Sequence, residues 1–364
     1  MPSIRFGFIG TGQVAFYAAT GINKHADARV VAAQDVNATN LKDFCKLFSI
    51  EHSYSKVEDL FANPDIDAIY IAVPNKFHVP LAIQALEAGK HVILEKPFAM
   101  SLAEAQEAAE VSRRTGKVLT LGMNLRFEEP AQRIKTLVDE GALGEIYRLK
   151  AHWLRRAGIP KLGTWFGNKA LAGGGCLYDL GVHLLDLSFY LVNDFEPVSV
   201  YGATFTKFGH LGQGGGDWGK SESISAKFDV EDQAAAMIRF ANGSILSLDI
   251  AWAGHAEEKN HSDIHLYGTK GGALVMGDKL FKADPVTGDY LVIQEPKAAL
   301  KYPHADRFHN FVNHLLGKEA LCVTLEQALG VQRVLDAIAE SSATGREVRL
   351  DKVAKSKQLE PVAA

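Results

Sequence analysis

The sequence contains three side chains whose type and position suit proton transfer: Lys96, Asp179 and His183. Asp179 and His183 lie four residues apart in a predicted helix over about 177–191, and side chains at that spacing share one helix face. Asp186 is expected on the same face, in a structural role. An imidazole and a carboxylate one turn apart suit general acid–base chemistry, with His183 exchanging a hydroxyl proton and Asp179 binding hydroxyls and tuning the imidazole. The alternative is a helix whose polar face is merely solvated.

Lys96 belongs to the tripeptide Glu95-Lys96-Pro97, directly after a predicted strand over 91–94. Ligands of open α/β sheets bind beyond the carboxyl ends of the strands, so Lys96 is expected at that edge. Its amine can take part in proton transfer or hydrogen-bond a reacting oxygen. The alternative is an ordinary surface lysine before a loop proline. Whether the bond before Pro97 is cis does not follow from the sequence.

A glycine-rich turn between the first predicted strand and the first helix is typical of dinucleotide binding. The turn reads Gly10-Thr11-Gly12-Gln13-Val14-Ala15. Its first glycine permits a tight turn, its second lets the backbone approach a pyrophosphate, and its alanine allows close packing of helix on strand. The helix N-terminus then offers free N–H groups to phosphates.

Asp35 ends the second predicted strand, where a carboxylate accepts hydrogen bonds from ribose hydroxyls and repels a 2′-phosphate. No basic residue follows it closely, so NAD is the preferred cofactor and NADP a possible one. The alternative role for Asp35 is to cap the next helix. No metal site is predicted, because the Asp179–His183 pair supplies two ligands and a catalytic zinc needs about three.

Composition restricts the class of protein. The chain has 364 residues, of which 47% are hydrophobic and 23% charged, with net charge −4. This length predicts two or three domains, and the mildly acidic charge argues against a binder of nucleic acid or anionic membranes. No apolar run approaches the roughly 18 to 20 residues that span a bilayer, and no signal peptide is expected. Cys45, Cys176 and Cys322 are far apart, which favours a reducing, cytoplasmic location.

Over the first 120 residues, short apolar runs alternate with helical patterns. The predicted strands cover 4–9, 30–33, 68–73, 91–94 and 118–122, and the predicted helices cover 13–23, 40–48, 79–88 and 102–115. Alternation of continuously apolar strands with helices indicates a parallel, doubly wound sheet covered on both faces. We therefore predict an α/β N-terminal Rossmann domain over 1–124.

The later part of the chain reads as an α+β domain over 125–350 with a large, mostly antiparallel open sheet, followed by a tail over 351–364. The predicted strands cover 147–153, 198–205, 223–230, 234–240, 244–252 and 263–268. Asn242-Gly243 predicts a type I′ hairpin turn. Thr324 and Gln327 predict a capping box on a C-terminal helix that can pack back on the first domain. The segment Gly212–Gly219 is expected to be a flexible loop, or alternatively a flap over the active site.

With these residues assembled, the chain resembles the Gfo/Idh/MocA family (glucose–fructose oxidoreductase, inositol dehydrogenase, rhizopine catabolism protein). The matching segments, beside Asp35 and the C-terminal helix, are GFIGTGQVA at 7–15, AVPNKFH at 72–78, AGKHVILEKP at 88–97, GMNLRF at 122–127 and GGGCLYDLGVHLLD at 173–186. The resemblance implies an NAD(P)-dependent oxidoreductase acting on a sugar, sugar derivative or cyclitol. It also implies that Lys96, Asp179 and His183 are catalytic and that the protein is a homodimer or homotetramer through the C-terminal sheet.

Further residues are expected around the cofactor and the substrate. Beside the glycine turn and Asp35, the candidate cofactor-binding residues are Pro74, Asn75, His78, Glu95, Lys96 and Asn124, with helix capping as the alternative for His78. The candidate substrate-binding residues are Arg126, Arg155, Arg156 and Trp165. An interdomain ion pair is the alternative role for Arg126.

Three functions are compatible with these residues. The first is a dehydrogenase that moves a hydride between a nicotinamide cofactor and a carbinol of a carbohydrate or cyclitol. The second is a redox-neutral enzyme, a glycosidase or epimerase, that keeps NAD tightly bound and oxidises its sugar transiently. The third, a dinucleotide-binding protein without catalysis, is disfavoured because both Lys96 and His183 are present.

Overall fold

The computed structural model describes residues 4–160, 162–216 and 227–350, which form two sheets with helices packed on them. The first sheet has six strands, all parallel, in the order β3-β2-β1-β4-β5-β6. Its strands are β1 (Ile4–Ile9), β2 (Ala28–Gln34), β3 (His52–Tyr54), β4 (Ala68–Ile71), β5 (His91–Leu94) and β6 (Leu119–Leu121). Its helices are α1 (Gln13–Lys24), α2 (Ala38–Phe48), α3 (Val57–Ala62), α4 (His78–Glu87) and α5 (Leu102–Thr115).

The central strands explain why this sheet is covered on both faces. Every residue of β4 is buried, and so are the last three residues of β5. Strands with apolar side chains on both faces need a helical layer on each side, which the crossover helices provide. The carboxyl ends of β1, β4 and β5 therefore meet at one edge, from which the loops to the site emerge.

Within the described residues, the second sheet has nine strands in the order β14-β13-β12-β11-β7-β10-β9-β8-β15. The strands are β7 (Ile146–Arg155), β8 (Ser199–Phe205), β9 (Gln233–Arg239), β10 (Ile245–Ala251), β11 (Asn260–Gly268), β12 (Gly272–Leu274), β13 (Lys279–Ala283), β14 (Tyr290–Gln294) and β15 (Val348–Arg349). All neighbouring pairs are antiparallel except β7 with β10. The expected fold class, a Rossmann unit followed by a mostly antiparallel sheet, is confirmed.

The remaining helices pack on the second sheet and across to the first. They are α6 (Glu129–Asp139), α7 (Lys169–Ala172), α8 (Val182–Val192), α9 (Arg307–Leu315) and α10 (Leu325–Thr344). Phe308 and Phe311 of α9 belong to the same core cluster as Phe6 and Phe8 of β1. Helix α10 begins with the predicted capping box and lies between β8 and α5. Both C-terminal helices thus contact the Rossmann unit.

The helix that carries Asp179 and His183 departs from the expected regular α-helix. Residues Leu177–Gly181 form one π-helical turn that continues into α8. A π turn contains more residues than an α turn and shifts the phase of everything after it. Asp186 consequently faces Arg126 in the interior and does not share a face with Asp179, contrary to our expectation.

Several local predictions were wrong. The turn between β9 and β10 has a positive φ at Gly243 alone, so it is not type I′; the Gly243 N–H donates to the Phe240 carbonyl instead. That pattern is typical of a type I turn followed by a left-handed glycine.

The predicted strand over 223–230 is not a strand over 227–230, and its first four residues lie outside the described residues. The end of the glycine-rich segment, 217–219, and the tail over 351–364 also lie outside them.

One helical stretch in the described chain, Lys169–Val192, is long and apolar enough to cross a membrane, although the sequence suggested none. Of the 18 most apolar consecutive residues in this stretch, 83% are buried inside the protein, as expected for a core helix.

Candidate active site

A cleft of about 1230 Å³ runs along the carboxyl-terminal edge of the first sheet and reaches the second sheet. One side is lined by the glycine turn, by residues after β2 and β4, and by the Glu95-Lys96-Pro97 segment. The other side is lined by β7, by the π turn and α8, and by residues 259 and 260. The cleft therefore brings together segments that are far apart in the chain.

The centre of the cleft is a chain of hydrogen bonds through Lys96. The Lys96 Nζ lies 2.7 Å from Asp179 Oδ1 and 2.9 Å from the Asp179 carbonyl oxygen, and it donates to both. The other carboxylate oxygen, Oδ2, accepts a 2.8 Å hydrogen bond from the indole N–H of Trp252, which is fully buried. Both oxygens of Asp179 are therefore engaged by the protein, and the carboxylate fixes the position of the Lys96 amine.

His183 lies one turn further along the same helix and also lines the cleft. Its Nδ1 is buried and has no hydrogen-bond partner in the described chain. Burial, with the positive charge of Lys96 in second place, holds the pKa of His183 well below 6.5, although Asp179 acts in the opposite direction. The imidazole is therefore neutral at physiological pH and can accept a proton.

The same cluster sets the charge of Asp179. Burial alone would raise the pKa of this carboxyl, but the charge and hydrogen bond of Lys96, together with the Trp252 N–H, lower it overall below 3.8. The site thus holds an ionised carboxylate paired with an ammonium group, beside a neutral imidazole. This combination can hold a hydroxyl group, remove its proton and stabilise the resulting negative charge.

Each residue of the Glu95-Lys96-Pro97 segment is held separately. Glu95 Oε1 accepts hydrogen bonds of 2.6 Å from the Tyr70 hydroxyl and from the Arg307 guanidinium. The ring nitrogens of the buried His78 lie 2.8 Å from the Pro97 carbonyl oxygen and 3.0 Å from that of Val73. The Lys96–Pro97 peptide bond is cis. These contacts fix the residues on both sides of Lys96, and the Lys96 side chain extends from there across the cleft to Asp179.

The cofactor side of the cleft fits a dinucleotide. A Cβ atom on Gly10 (φ +86°) would lie 2.2 Å from the Ala72 carbonyl oxygen, so glycine is required there. A Cβ on Gly12 would meet no described atom within 4 Å, which leaves room for a close approach to the backbone. No described side chain caps the start of α1, so its N–H groups are available to a phosphate.

Asp35, which directly follows β2, is held by hydrogen bonds on the cofactor side of the cleft. Its Oδ2 accepts hydrogen bonds of 2.7 Å from the backbone N–H and the hydroxyl of Thr11, and its Oδ1 accepts one of 2.7 Å from the Asn37 N–H. One acceptor position of Oδ1 remains, since a carboxylate oxygen can accept two hydrogen bonds. The carboxylate lines the cleft and gives the cofactor side a negative charge.

Most of the residues expected at the site do line the cleft. They are Gly10, Gly12, Gln13, Val14, Asp35, Pro74, Asn75, His78, Glu95, Lys96, Asn124, Arg155, Trp165, Asp179 and His183. Thr11 acts through Asp35 and borders a neighbouring smaller groove. Asn75 is buried and donates to the Ala172 carbonyl oxygen at 2.7 Å, which connects the two halves of the cleft.

Two candidate substrate-binding residues lie elsewhere. Arg126 is fully buried and pairs with Asp186 through bonds of 2.6 and 2.8 Å. It forms an ion pair, but both partners lie within 125–350, so the pair is not the expected interdomain one. Arg126 follows β6, but the subsequent chain turns its side chain into the interior between α8 and the start of α10. Arg156 is exposed, and its Nε donates to the Ala256 carbonyl oxygen outside the cleft.

Sequence reasoning missed Trp252, which directly follows β10, and Arg307, which is the first residue of α9. No motif surrounds either residue, and their contacts with Asp179 and Glu95 join positions 73 and 212 residues apart. Trp252 is the last residue of the predicted strand over 244–252, and a tryptophan in such a strand is commonly a core residue.

Two sequence profiles match the chain. The NAD-binding Rossmann fold of the Gfo/Idh/MocA oxidoreductases matches residues 4–123, and the C-terminal domain of the same family matches residues 131–274. D-Glucoside 3-dehydrogenase of Escherichia coli (strain K12) is 31% identical over 351 residues, which are 95% of this chain and 97% of that protein. The chain belongs to the Gfo/Idh/MocA family of oxidoreductases. The family, the NAD-binding fold and the oxidoreductase class expected from the sequence are thereby confirmed.

Other members of the family are similar over shorter or more divergent stretches. Levoglucosan dehydrogenase of Pseudarthrobacter phenanthrenivorans is 30% identical over 275 residues, covering 73% of this chain and 70% of that protein. A solved structure of levoglucosan dehydrogenase in complex with NADH and levoglucosan matches with a TM-score of 0.79 at 25% identity, covering 96% of this chain and all of that one.

Proposed function

We propose that this protein oxidises a secondary hydroxyl group of a glucose-type sugar and passes the hydride to NAD. The observation that carries the proposal is the Lys96–Asp179 contact of 2.7 Å beside a neutral His183, at the cofactor edge of a Rossmann sheet. The full-length similarity to a D-glucoside 3-dehydrogenase supports a sugar as substrate and its C3 carbinol as the reacting centre.

His183 is the proposed general base. Its neutral imidazole takes the hydroxyl proton as the C–O bond gains double-bond character. A positioned base of this kind contributes about 10²–10⁴ in rate. Lys96 is the proposed partner of the reacting oxygen: its ammonium hydrogen-bonds the hydroxyl and stabilises the negative charge that develops there. Asp179 holds that ammonium in place, which modifies the expected role in binding substrate hydroxyls.

NAD is the proposed cofactor, and when bound it accepts the hydride from the carbinol carbon. Gly12, Gln13 and Val14 would hold its pyrophosphate, and Asp35 its adenosine ribose. The preference over NADP is supported by the fixed negative charge of Asp35, because a 2′-phosphate at that position would be repelled. Residues 36–41, which follow it, contain no lysine or arginine.

We also propose a homodimer or homotetramer that associates through the outer face of the second sheet, in the cytoplasm. Tyr201 and Met237 lie directly opposite each other on β8 and β9 and so share one face of that sheet, and each is more than half exposed, which is unusual for large apolar side chains. Sedimentation at assay concentration should show a species larger than one chain. All three cysteines are free thiols, which agrees with a reducing compartment.

The direct test is a panel of glucosides, free sugars and inositols incubated with NAD or NADP, followed by absorbance at 340 nm. Net NADH formation from a glucoside supports the proposal. Product formation without NADH release would instead support the redox-neutral alternative, and turnover with NADP equal to that with NAD would refute the cofactor preference. Absence of turnover across the whole panel would refute the proposed function.

A further inference from the structure

The described lysine and arginine side chains that line the cleft fall into two groups. Lys96 is neutralised by Asp179 at 2.7 Å, and Arg307 by Glu95 at 2.6 Å. Arg155 and Lys259 also line the cleft, but within the described ranges neither has a carboxylate oxygen within 4.0 Å. Among the described residues, Arg155 and Lys259 are therefore two cations in the cleft that have no carboxylate in direct contact.

Arg155 is the more informative of the two because it is partly buried. Its guanidinium lies 5.0 Å from the centre of the Trp153 ring, and its hydrogen bond to the Gly158 carbonyl oxygen is long, at 3.4 Å. Burial lowers the pKa of Arg155, and Asp179 only partly opposes that effect. A guanidinium has five N–H donors in a planar fork, and most of them have no acceptor among the described residues.

A cation removed from water without a counter-charge is costly, and proteins usually pair such a group. The fork of arginine matches the two oxygens of a carboxylate or phosphate, which lysine does not match in the same way. Trp153 also approaches His183, with 6.2 Å between the ring centres. A group bound by Arg155 would therefore be part of the same substrate molecule whose hydroxyl group contacts the His183 imidazole.

We propose that the physiological substrate is a sugar with an anionic substituent, a carboxylate or a phosphate, and that Arg155 binds this substituent with help from Lys259. This inference rests on the proposed sugar dehydrogenase function and narrows its substrate class. It also assigns Trp153 a role, since its indole N–H donates to Asn260 Oδ1 at 2.9 Å and so holds the ring beside the guanidinium.

The test compares three sugars that share one ring: methyl glucoside, methyl glucuronide and glucose 6-phosphate. The value of kcat/KM with NAD is measured for the unaltered protein, for Arg155→Gln and for Arg156→Gln. The second variant is a matched control, because Arg156 is the sequence neighbour of Arg155 and its guanidinium bonds outside the cleft. Measurements at low and high salt show whether the preference is electrostatic.

We expect one of the two anionic sugars to exceed methyl glucoside in kcat/KM by tenfold or more, and which one does so distinguishes the carboxylate from the phosphate. Arg155→Gln should reduce that value about ten- to a hundredfold, as for a lost hydrogen-bonded charge, and should reduce the value for methyl glucoside by a clearly smaller factor. Arg156→Gln should change neither value by more than about threefold.

Methyl glucoside as the best of the three substrates would overturn this proposal while leaving the proposed function intact. An equal loss on all three sugars in Arg155→Gln would also overturn it, because Arg155 would then bind the ring hydroxyls. Failure of every sugar to reduce NAD would instead refute the proposed function itself.

Discussion

The hydrogen bond from Trp252 to Asp179 offers a test that separates positioning from direct catalysis. Trp252→Phe keeps an aromatic ring in the core and removes the N–H that lies 2.8 Å from Asp179 Oδ2. A hydrogen bond to a charged group is worth about 1.5–3 kcal/mol, which corresponds to a factor of roughly ten to a hundred. Because this bond acts on the reaction only through Lys96, we expect kcat to fall about tenfold, and by no more than about a hundredfold.

The pH dependence of kcat for Trp252→Phe tests the positioning role more specifically than the size of kcat does. The Trp252 N–H lowers the pKa of Asp179, so its loss lets that pKa rise. Asp179 then takes up a proton at a higher pH and ceases to pair with Lys96. The acidic limb of kcat should therefore move to higher pH, while the dissociation constant of NADH, measured by fluorescence, stays within about threefold of the original.

A second variant controls for the altered core. Trp252→His keeps a ring N–H donor and should restore part of kcat and of the original limb, whereas Trp252→Phe should not. The thermal midpoint of both variants checks that they are folded at the assay temperature. An unchanged kcat together with an unchanged acidic limb in folded Trp252→Phe would refute the claim that this bond positions Lys96.

Three further predictions concern separate parts of the molecule. The pKa of His183 is well below 6.5, so the base stays unprotonated and the acidic limb of kcat/KM for the unaltered protein should lie below pH 6.5; a limb above that value would contradict its role as a neutral base. Asp35→Asn removes a charge at the ribose end and should lower the ratio of kcat/KM with NAD to that with NADP about tenfold or more; an unchanged ratio would reject Asp35 as the discriminating residue. Arg126→Met leaves the buried Asp186 without its partner and should reduce the free energy of unfolding in urea by about 3–5 kcal/mol; a loss below about 1 kcal/mol would show that the pair is not structural.

Much of the fold could be predicted because its elements carry local signals. The runs at β1, β4 and β5 are mostly apolar, with Arg5 and His91 as the exceptions, and the glycine turn and capping box mark where α1 and α10 begin. The short elements β3 and α3 were missed, because three and six residues are too few for a periodic pattern to stand out.

The site was predictable where a side chain follows directly from the end of an element. Lys96 and Asp35 come at the carboxyl ends of β5 and β2, and parallel strands bring such positions to one edge. Arg126 also follows a strand, yet its direction depends on Asp186, which the π turn rotates away from the cleft. A change of helical phase has no signature in the pattern of apolar residues, so the direction of Arg126 could not be foreseen.

Trp252 and Arg307 show the other limit of sequence reasoning. Each acts on a residue that was recognised, but from a segment whose position relative to the cleft is decided by tertiary packing. Arg307 reaches Glu95 because Phe308 and Phe311 pack α9 into the core beneath β1. Only the assembled fold shows these contacts.

The central claim is that Lys96 and His183 handle the proton of the hydroxyl group that is oxidised. The most direct measurement is the rate of NADH formation in a single turnover, with enzyme in excess over the best sugar of the panel, for Lys96→Ala and His183→Ala. We predict that both rates fall by about 10²–10⁴ while NADH still binds with nearly its original affinity. A rate within about fivefold of that of the unaltered protein, in either variant, would contradict the claim.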